Sequence, residues 1–150
     1  MGPVVNLSVF ILSLFSLTLN NAAQNIEKAF LQNNPAFLYS LLSQDSYMNV
    51  SIPDPIAFSD QVSNQQALFL FKRIFKSYST FEFYSDREPT AVGRNSYIFK
   101  ARWSFQDRKD SKHVLFIFFY LMLDPDVRTG PSRKGHPGLW EITEIRAVKF

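Results

Sequence analysis

The sequence predicts an α+β domain in which helices come first and a run of longer β-strands follows. Three stretches support this prediction. Residues 64–78 place apolar side chains at helical spacing, residues 97–105 alternate between inward-facing and outward-facing side chains, and residues 114–123 are almost wholly apolar. These periodicities are the primary sequence signals for an amphipathic helix, a half-buried strand and a central strand.

The composition is that of a single domain with a large core. Sixteen Phe, six Tyr and two Trp give a high aromatic content, and each buried aromatic side chain removes about 150–250 Å² from water. The net charge is only +3, and basic residues are interspersed with acidic ones, whereas a nucleic-acid binder more often shows a one-sided basic stripe. The chain has no cysteine, which excludes thiol catalysis and cysteine metal sites.

The N-terminus differs sharply from the rest of the chain. The first 26 residues carry no charged side chain, and all 16 Lys and Arg and all 13 Asp and Glu follow them. We interpret residues 1–23 as a signal peptide, with Ala22 and Ala23 near the cleavage site, and residues 24–150 as the exported domain. A membrane anchor is the alternative, because residues 3–23 approach the roughly 20 apolar residues that a spanning helix needs. The predicted location is therefore periplasmic or secreted, or anchored to a membrane.

The first half of the domain is predicted to be mainly helical. Asn25 is a plausible N-cap for a helix over residues 26–31, and Pro35 can start a second helix that ends at residue 42. Residues 47–52 alternate as a strand, and residues 56–58 could return as a short second strand after the turn at 53–55. Ser63 is the predicted N-cap of the long helix over residues 64–78.

The second half is predicted to be sheet. Residues 80–85 and 97–105 alternate, and residues 114–123 read as a central strand covered on both faces, at least in part. A polar turn at 108–112 precedes that central strand, and a long Gly- and Pro-containing loop at 124–138 follows it. The last strand spans residues 139–150, and its alternation slips between Ile142 and Ile145, which indicates a β-bulge.

Two local motifs resemble a known superfamily. The run Ser-Asn-Gln-Gln-Ala at residues 63–67 opens a helix that reaches Ile74 and Phe75, and the run Trp-Glu-Ile-Thr-Glu-Ile at residues 140–145 forms the last strand. Together with the order of elements, these motifs resemble the nuclear transport factor 2-like superfamily, the SnoaL and ketosteroid-isomerase type of cone, and within it an uncharacterised exported bacterial family. The resemblance implies N-terminal helices and one long helix packed on a curved antiparallel sheet around a conical cavity.

The resemblance leaves the activity open, because the same fold hosts different functions. Enzymes with this fold project carboxylates, tyrosines or histidines into the cone, whereas other members fill the cone and bind partners. An isomerase or dehydratase would need a general base and an oxyanion donor. The candidates are Asp45, Asp60, Tyr39, Tyr97, Tyr120 and His113. The alternative interpretations are turn or cap chemistry for the two Asp, core packing for Tyr120 and a surface strand end for His113.

The loop over residues 128–136 is the candidate anion site. Arg128, Arg133, Lys134 and His136 could hold a phosphate, a carboxylate or an anionic lipid head group. The alternative is a solvated hairpin loop. The two histidines have no metal-ligand spacing, and we expect neither a metal nor a cofactor.

The leading hypothesis from the sequence is a non-catalytic exported domain that binds a small apolar ligand or a protein partner through its cone or its open sheet face. An isomerase or dehydratase with an Asp and a Tyr in the cavity is the second hypothesis. A membrane-tethered domain that touches anionic surfaces through the basic loop is the third. The resemblance also implies that a homodimer through the open sheet face is common for the fold, and nothing points to nucleic acid.

Overall fold

The structure is a computed structural model that describes residues 7–86, 88–123 and 140–150. The helical elements are α1 (Leu7–Leu31), a 3₁₀ helix (Pro35–Leu41) and α2 (Asn64–Ser77). The strands are β1 (Met48–Ile52), β2 (Phe58–Val62), β3 (Ser79–Ser85), β4 (Thr90–Gly93), β5 (Ser96–Gln106), β6 (Lys112–Leu123) and β7 (Trp140–Lys149). The predicted order of helices first and longer strands later is confirmed.

The strands form one curved sheet with the helices on its inner side. The strand order is β2-β1-β7-β6-β5-β3, and β4 pairs with β5 outside this path. Every pairing is antiparallel apart from β1 with β7, which is parallel. The predicted α+β fold is confirmed, and the one parallel pair makes the sheet mixed.

Helix α2 begins where the sequence predicts. Ser63 Oγ accepts a hydrogen bond from the backbone N–H of Gln66 at 3.2 Å, and the Gln66 side chain accepts one from the Ser63 N–H at 2.9 Å. This capping box satisfies two amide donors that have no partner inside the helix. The buried residues of α2 are Ala67, Phe71, Ile74 and Phe75. Their spacing is the predicted apolar stripe, and it fixes which side of the helix packs on the sheet.

The prediction that Asn25 is the N-cap of the first helix is wrong. Asn25 lies inside a continuous helix, because residues 20–25 contain neither Pro nor Gly and nothing stops the helix there. Leu19, Ala22 and Ile26 are buried at helical spacing. The predicted boundary between leader and domain therefore falls within α1, while cleavage itself stays a prediction. Among the described residues, no helix is both long enough and apolar enough to cross a membrane.

Two edge strands differ from the prediction. Strand β2 starts at Phe58, two residues after the predicted start, because the turn extends to Ala57, which has a positive φ of 54°. The N–H groups of Ile56 and Ala57 both bond to the Pro53 carbonyl, at 3.2 and 3.1 Å. Strand β4 is absent from the prediction. All four of its residues are exposed, so its sequence shows no alternation of apolar and polar residues that would predict a strand.

The predicted bulge in the last strand is confirmed. Tyr120 pairs with Glu144, whereas its neighbour Leu121 pairs with Ile142, so Thr143 is the extra residue of β7. Thr143 Oγ1 donates a hydrogen bond to the Tyr120 carbonyl at 3.3 Å. A bulge of this kind bends a strand locally, and here it keeps both Ile142 and Ile145 buried in the core.

Candidate functional site

The inside of the curved sheet is packed with aromatic rings. Phe30 from α1 has no exposed surface and lies at the centre of the cluster. Its ring centroid lies 4.7, 5.0, 5.2, 5.6 and 5.9 Å from those of Phe83, Trp103, Phe75, Phe119 and Phe71. Edge-to-face and offset arrangements at these distances are favourable aromatic contacts. The part of the cone around Phe30 is therefore occupied by side chains of the protein itself.

The two candidate carboxylates lie on the surface and apart from this interior. Asp45 is exposed in the turn after the 3₁₀ helix, where its backbone N–H bonds to Ser43 Oγ at 3.3 Å. Asp60 is exposed on β2, and its carboxylate accepts a hydrogen bond from the neighbouring Gln61 N–H at 2.7 Å. Tyr39 is also exposed, on the 3₁₀ helix. In these positions the Asp45 backbone takes part in a turn and the Asp60 carboxylate takes part in edge-strand structure.

The two candidate tyrosines of the sheet lie on opposite faces. Tyr97 is half-buried on the inner face, where its ring packs edge-on against Trp140 with centroids 5.4 Å apart. Tyr120 is half-buried on the outer face of β6 and pairs with Ile98 of β5. The structure thus brings neither tyrosine into a shared site with Asp45 or Asp60.

His113 has a partner that the sequence analysis missed. Its Nε2 lies 3.1 Å from Asp107 Oδ2, and its ring stacks on Phe105 with centroids 5.4 Å apart. The hydrogen bond from His113, followed by those from the Ser111 and Lys109 amides, lowers the pKa of the Asp107 carboxyl. The β5–β6 hairpin creates this pair, since Gln106 lies opposite Lys112. A correct hairpin register would have revealed it from the sequence.

A cleft of about 430 Å³ lies beside this hairpin. Its lining includes His113, Lys112, Lys149 and Phe150 from the ends of β6 and β7, with Asp54 on the facing turn. Cationic groups outnumber the acidic one among these side chains. The cleft therefore places the charged side chains of Lys112 and Lys149 near solvent at the ends of two strands. It is not an enclosed apolar cavity with a carboxylate in its wall, which an isomerase site would need.

The outer face of the sheet carries an uncovered apolar row, which we call the β6 stripe. It consists of Val114, Phe116, Phe118, Tyr120 and Met122, which alternate with the buried residues of β6. Val114 and Met122 expose 38% and 44% of their surface, and the three aromatic residues are half-buried. The sequence predicted a central strand covered on both faces, at least in part, and the structure covers the outer face in part.

Charged side chains of both signs border the β6 stripe. Lys100 Nζ lies over the rings of Phe116 and Phe118, 4.8 and 5.7 Å from their centroids. Arg102, also on β5, forms an ion pair with Glu82 of β3. On the other side of the stripe, Glu144 of β7 pairs with Tyr120, and Arg146 of β7 pairs with Phe118. Paired residues project from the same face of a sheet, so Glu144 and Arg146 lie on the outer face with the stripe.

Two further clefts lie near the helices. One, of about 420 Å³, lies between α1 and the end of β3, and Glu27, Asp86 and Glu88 are among its lining residues. The other, of about 730 Å³, lies between α2 and the segment that enters the 3₁₀ helix. Within the described ranges, no group of three or more His, Asp or Glu side chains is arranged to hold a metal ion. The basic-loop residues Arg128, Arg133, Lys134 and His136 lie outside the described residues, so the anion site stays a prediction.

Comparisons with known proteins agree with this architecture. No family model matches the sequence, and no curated protein matches it. Among solved structures, a ketosteroid isomerase-like protein from Erwinia carotovora atroseptica is similar with a TM-score of 0.63 and 10% identity, over 90% of this chain and 95% of that chain. A DUF4783 family protein from Bacteroides uniformis is similar with a TM-score of 0.61 and 12% identity, over 85% and 95%.

An NTF2-like protein from Burkholderia thailandensis is similar with a TM-score of 0.59 and 14% identity, over 89% of this chain and 91% of that chain. The class of protein is therefore a cone-shaped α+β domain. More particularly, the chain has the nuclear transport factor 2-like fold, as the two sequence motifs implied. At these identities the likeness concerns the fold alone, and proteins with this fold carry out different functions.

Proposed function

We propose that this chain is a non-catalytic domain that binds a protein partner through the outer face of its sheet, and that the partner is a second copy of the chain. The observation that carries the proposal is the β6 stripe. Five consecutive outward-facing positions of the central strand are apolar, and three of them are aromatic. Aromatic residues and Met are enriched at protein interfaces, and a contiguous exposed apolar patch commonly marks an interaction site.

The charges around the stripe favour a second copy. A two-fold interface is self-complementary, so each surface must offer what the other needs. Lys100 and Arg146 are positive, Glu144 is negative, and all three share the outer face with the stripe. A two-fold axis parallel to β6 would place Lys100 of one copy opposite Arg146 of the other, because both residues flank Phe118. An axis inclined to β6 is therefore required for Lys100 to meet Glu144 of the second copy around the apolar centre.

The interior favours a binding role over catalysis. An enzyme of the isomerase or dehydratase kind needs a base and an oxyanion donor within reach of one bound substrate. Here the rings around Phe30 occupy the interior, and the candidate carboxylates Asp45 and Asp60 are exposed elsewhere. The non-catalytic proposal rests on this separation.

Sedimentation of the purified chain over a range of concentrations tests the proposal. We expect a dimer for the wild type and a monomer for Phe118→Asp, because a buried unpaired carboxylate at the centre of an apolar interface is costly. Phe69→Asp is the matched control, since Phe69 is exposed on the helical layer, away from the stripe. A wild type that stays monomeric, or a Phe118→Asp variant that still dimerises, would refute the proposal.

We also propose that the domain acts after export, on the strength of the uncharged first 26 residues. Expression of the full chain in a bacterial host, followed by fractionation and N-terminal sequencing, tests this. Recovery from the periplasm or medium with a new N-terminus near Ala23 would support export with cleavage. Export with an intact N-terminus would favour retention, and recovery from the cytoplasm alone would contradict export.

A further inference from the structure

The open groove beside α2 has the volume of a small-molecule site. Its volume of about 730 Å³ falls in the range of about 300–1,000 Å³ that is common for ligand pockets. One wall is the outer side of α2, with Leu68, Phe69 and Lys72, and the other is Pro35 and Ala36 at the start of the 3₁₀ helix. We call this site the α2 groove.

The wall opposite α2 is held in place by two asparagines. Asn33 has a positive φ of 50°, which Asn tolerates better than most residues. Its side-chain oxygen accepts a hydrogen bond from the Thr80 N–H at 3.3 Å, which ties the loop to β3. Asn34 caps the 3₁₀ helix by accepting from the Ala36 N–H at 3.0 Å. The groove is thus formed before any ligand arrives, which reduces the ordering that binding requires.

Of the two apolar α2 residues in the groove, Leu68 also packs against the core, whereas Phe69 does not. The core-facing stripe of α2 runs through Ala67, Phe71 and Ile74. Phe69 is two positions before Phe71, which is about 200° around the helix, and it exposes 66% of its surface. The Phe69 ring is not part of the hydrophobic core. A ligand in the groove would cover its exposed surface.

The charge of the α2 groove selects the sign of the ligand. Among the described residues that line the groove, Lys72 is the one that carries a charge, and α2 contains no Asp or Glu. Lys72 forms no ion pair with any of the residues that the structure describes. Arg73 and Lys76 follow on the same helix, so every charged side chain of α2 is positive.

We propose that the α2 groove binds a soluble alkyl carboxylate, with the chain against Pro35, Leu68 and Phe69 and the carboxylate on the Lys72 ammonium. An ammonium-carboxylate hydrogen bond is stronger than a neutral one, and the apolar walls bury the chain. This site is separate from the β6 stripe, so it does not depend on the proposed self-association.

Isothermal titration with decanoate below its micellar concentration tests the proposal, with decyltrimethylammonium as the ligand of the same chain and opposite charge. We expect decanoate to bind and the cationic ligand to bind at least tenfold more weakly. Lys72→Gln should weaken decanoate binding about tenfold, which corresponds to one charge-assisted hydrogen bond. Arg73→Gln is the matched control, because it removes a neighbouring charge that lies outside the lining. The affinity of this variant for decanoate should differ from that of the wild type by less than about twofold.

Two more variants keep the outcome decisive. Ala36→Trp should fill the groove and abolish decanoate binding, while circular dichroism verifies that the variant is folded. Phe118→Asp should bind decanoate as the wild type does, which separates this site from the proposed dimer face. Absence of decanoate binding, equal binding of the cationic ligand, or an unchanged affinity in Lys72→Gln would overturn the proposal. Binding only to anionic lipid vesicles would also overturn it and would make the groove a membrane contact.

Discussion

Trp140 Nε1 donates a hydrogen bond to Thr18 Oγ1 over 3.1 Å, and this bond joins the first residue of β7 to the middle of α1. Leu19, the neighbour of Thr18, is buried, and Tyr97 packs edge-on against the same indole. This corner of the core therefore uses α1 residues that precede the predicted leader boundary at Ala23. The relationship gives two predictions about the N-terminal segment.

The first prediction concerns the hydrogen bond itself. Thr18→Val keeps the shape of the side chain but leaves the indole N–H of Trp140 without this acceptor. An unsatisfied, partly buried donor costs about 1–3 kcal/mol, so we expect the free energy of unfolding to fall by about 1 kcal/mol in urea titrations. Leu17→Ala is the control, because Leu17 is 58% exposed and should change little. An equal effect in both variants would contradict a specific role for the bond.

The second prediction compares a chain that starts at Leu17 with one that starts at Gln24. The shorter chain lacks Thr18, Leu19 and Ala22. Burial of a Leu side chain contributes about 1.5–3 kcal/mol, so we expect the shorter chain to be less stable by about 2 kcal/mol or more in the same titration. Equal stabilities would show that these contacts are dispensable, as a cleavage site near Ala23 requires.

The sequence predicts best those elements whose signals are local. Ser63 and Gln66 form the capping box at the start of α2, and the apolar spacing within the helix identifies its buried side. Both signals act over a few residues and need no knowledge of the rest of the fold. The same reasoning fails at Asn25, because a capping residue type marks a helix start only where the preceding residues cannot themselves be helical.

Features that depend on pairing between distant residues were harder to predict. The contact between His113 and Asp107 needs the hairpin register, and the outward direction of Phe116 and Phe118 needs the position of β6 in the sheet. An unbroken apolar run such as β6 has no period-2 signal. Its sequence therefore cannot show which face stays open, and that face became the candidate site.

The third prediction concerns the centre of the core. Phe30→Ala would remove the ring that contacts five other aromatic side chains in the cluster. Truncation of a fully buried Phe typically costs about 3–5 kcal/mol, and we expect a loss in that range in chemical denaturation. Phe69→Ala is the matched control, since its exposed side chain should change stability by no more than about 0.5 kcal/mol. A loss below about 1 kcal/mol for Phe30→Ala, which is the contribution of about one buried methylene group, would contradict the close packing of the interior.

The fourth prediction concerns the pH dependence of Asp107. Its pKa is lowered in the folded protein, chiefly by the His113 hydrogen bond, so the ionised carboxylate stabilises the fold above the unfolded-state pKa of about 3.9. This contribution is lost as the pH falls from that value through the lowered folded-state pKa. Asp107→Asn should therefore lower the thermal midpoint at neutral pH, and the difference from the wild type should shrink below about pH 4.

Thermal denaturation from pH 7 down to pH 3 checks this prediction. Asp110→Asn is the matched control, because Asp110 is exposed in the same turn and the substitution removes the same charge. Asn also suits the positive φ of 60° at that position. The control should shift the midpoint less than Asp107→Asn at neutral pH. A difference between Asp107→Asn and the wild type that stays constant down to pH 3 would mean that ionisation of Asp107 contributes nothing, and that the substitution acts through the geometry of the hairpin.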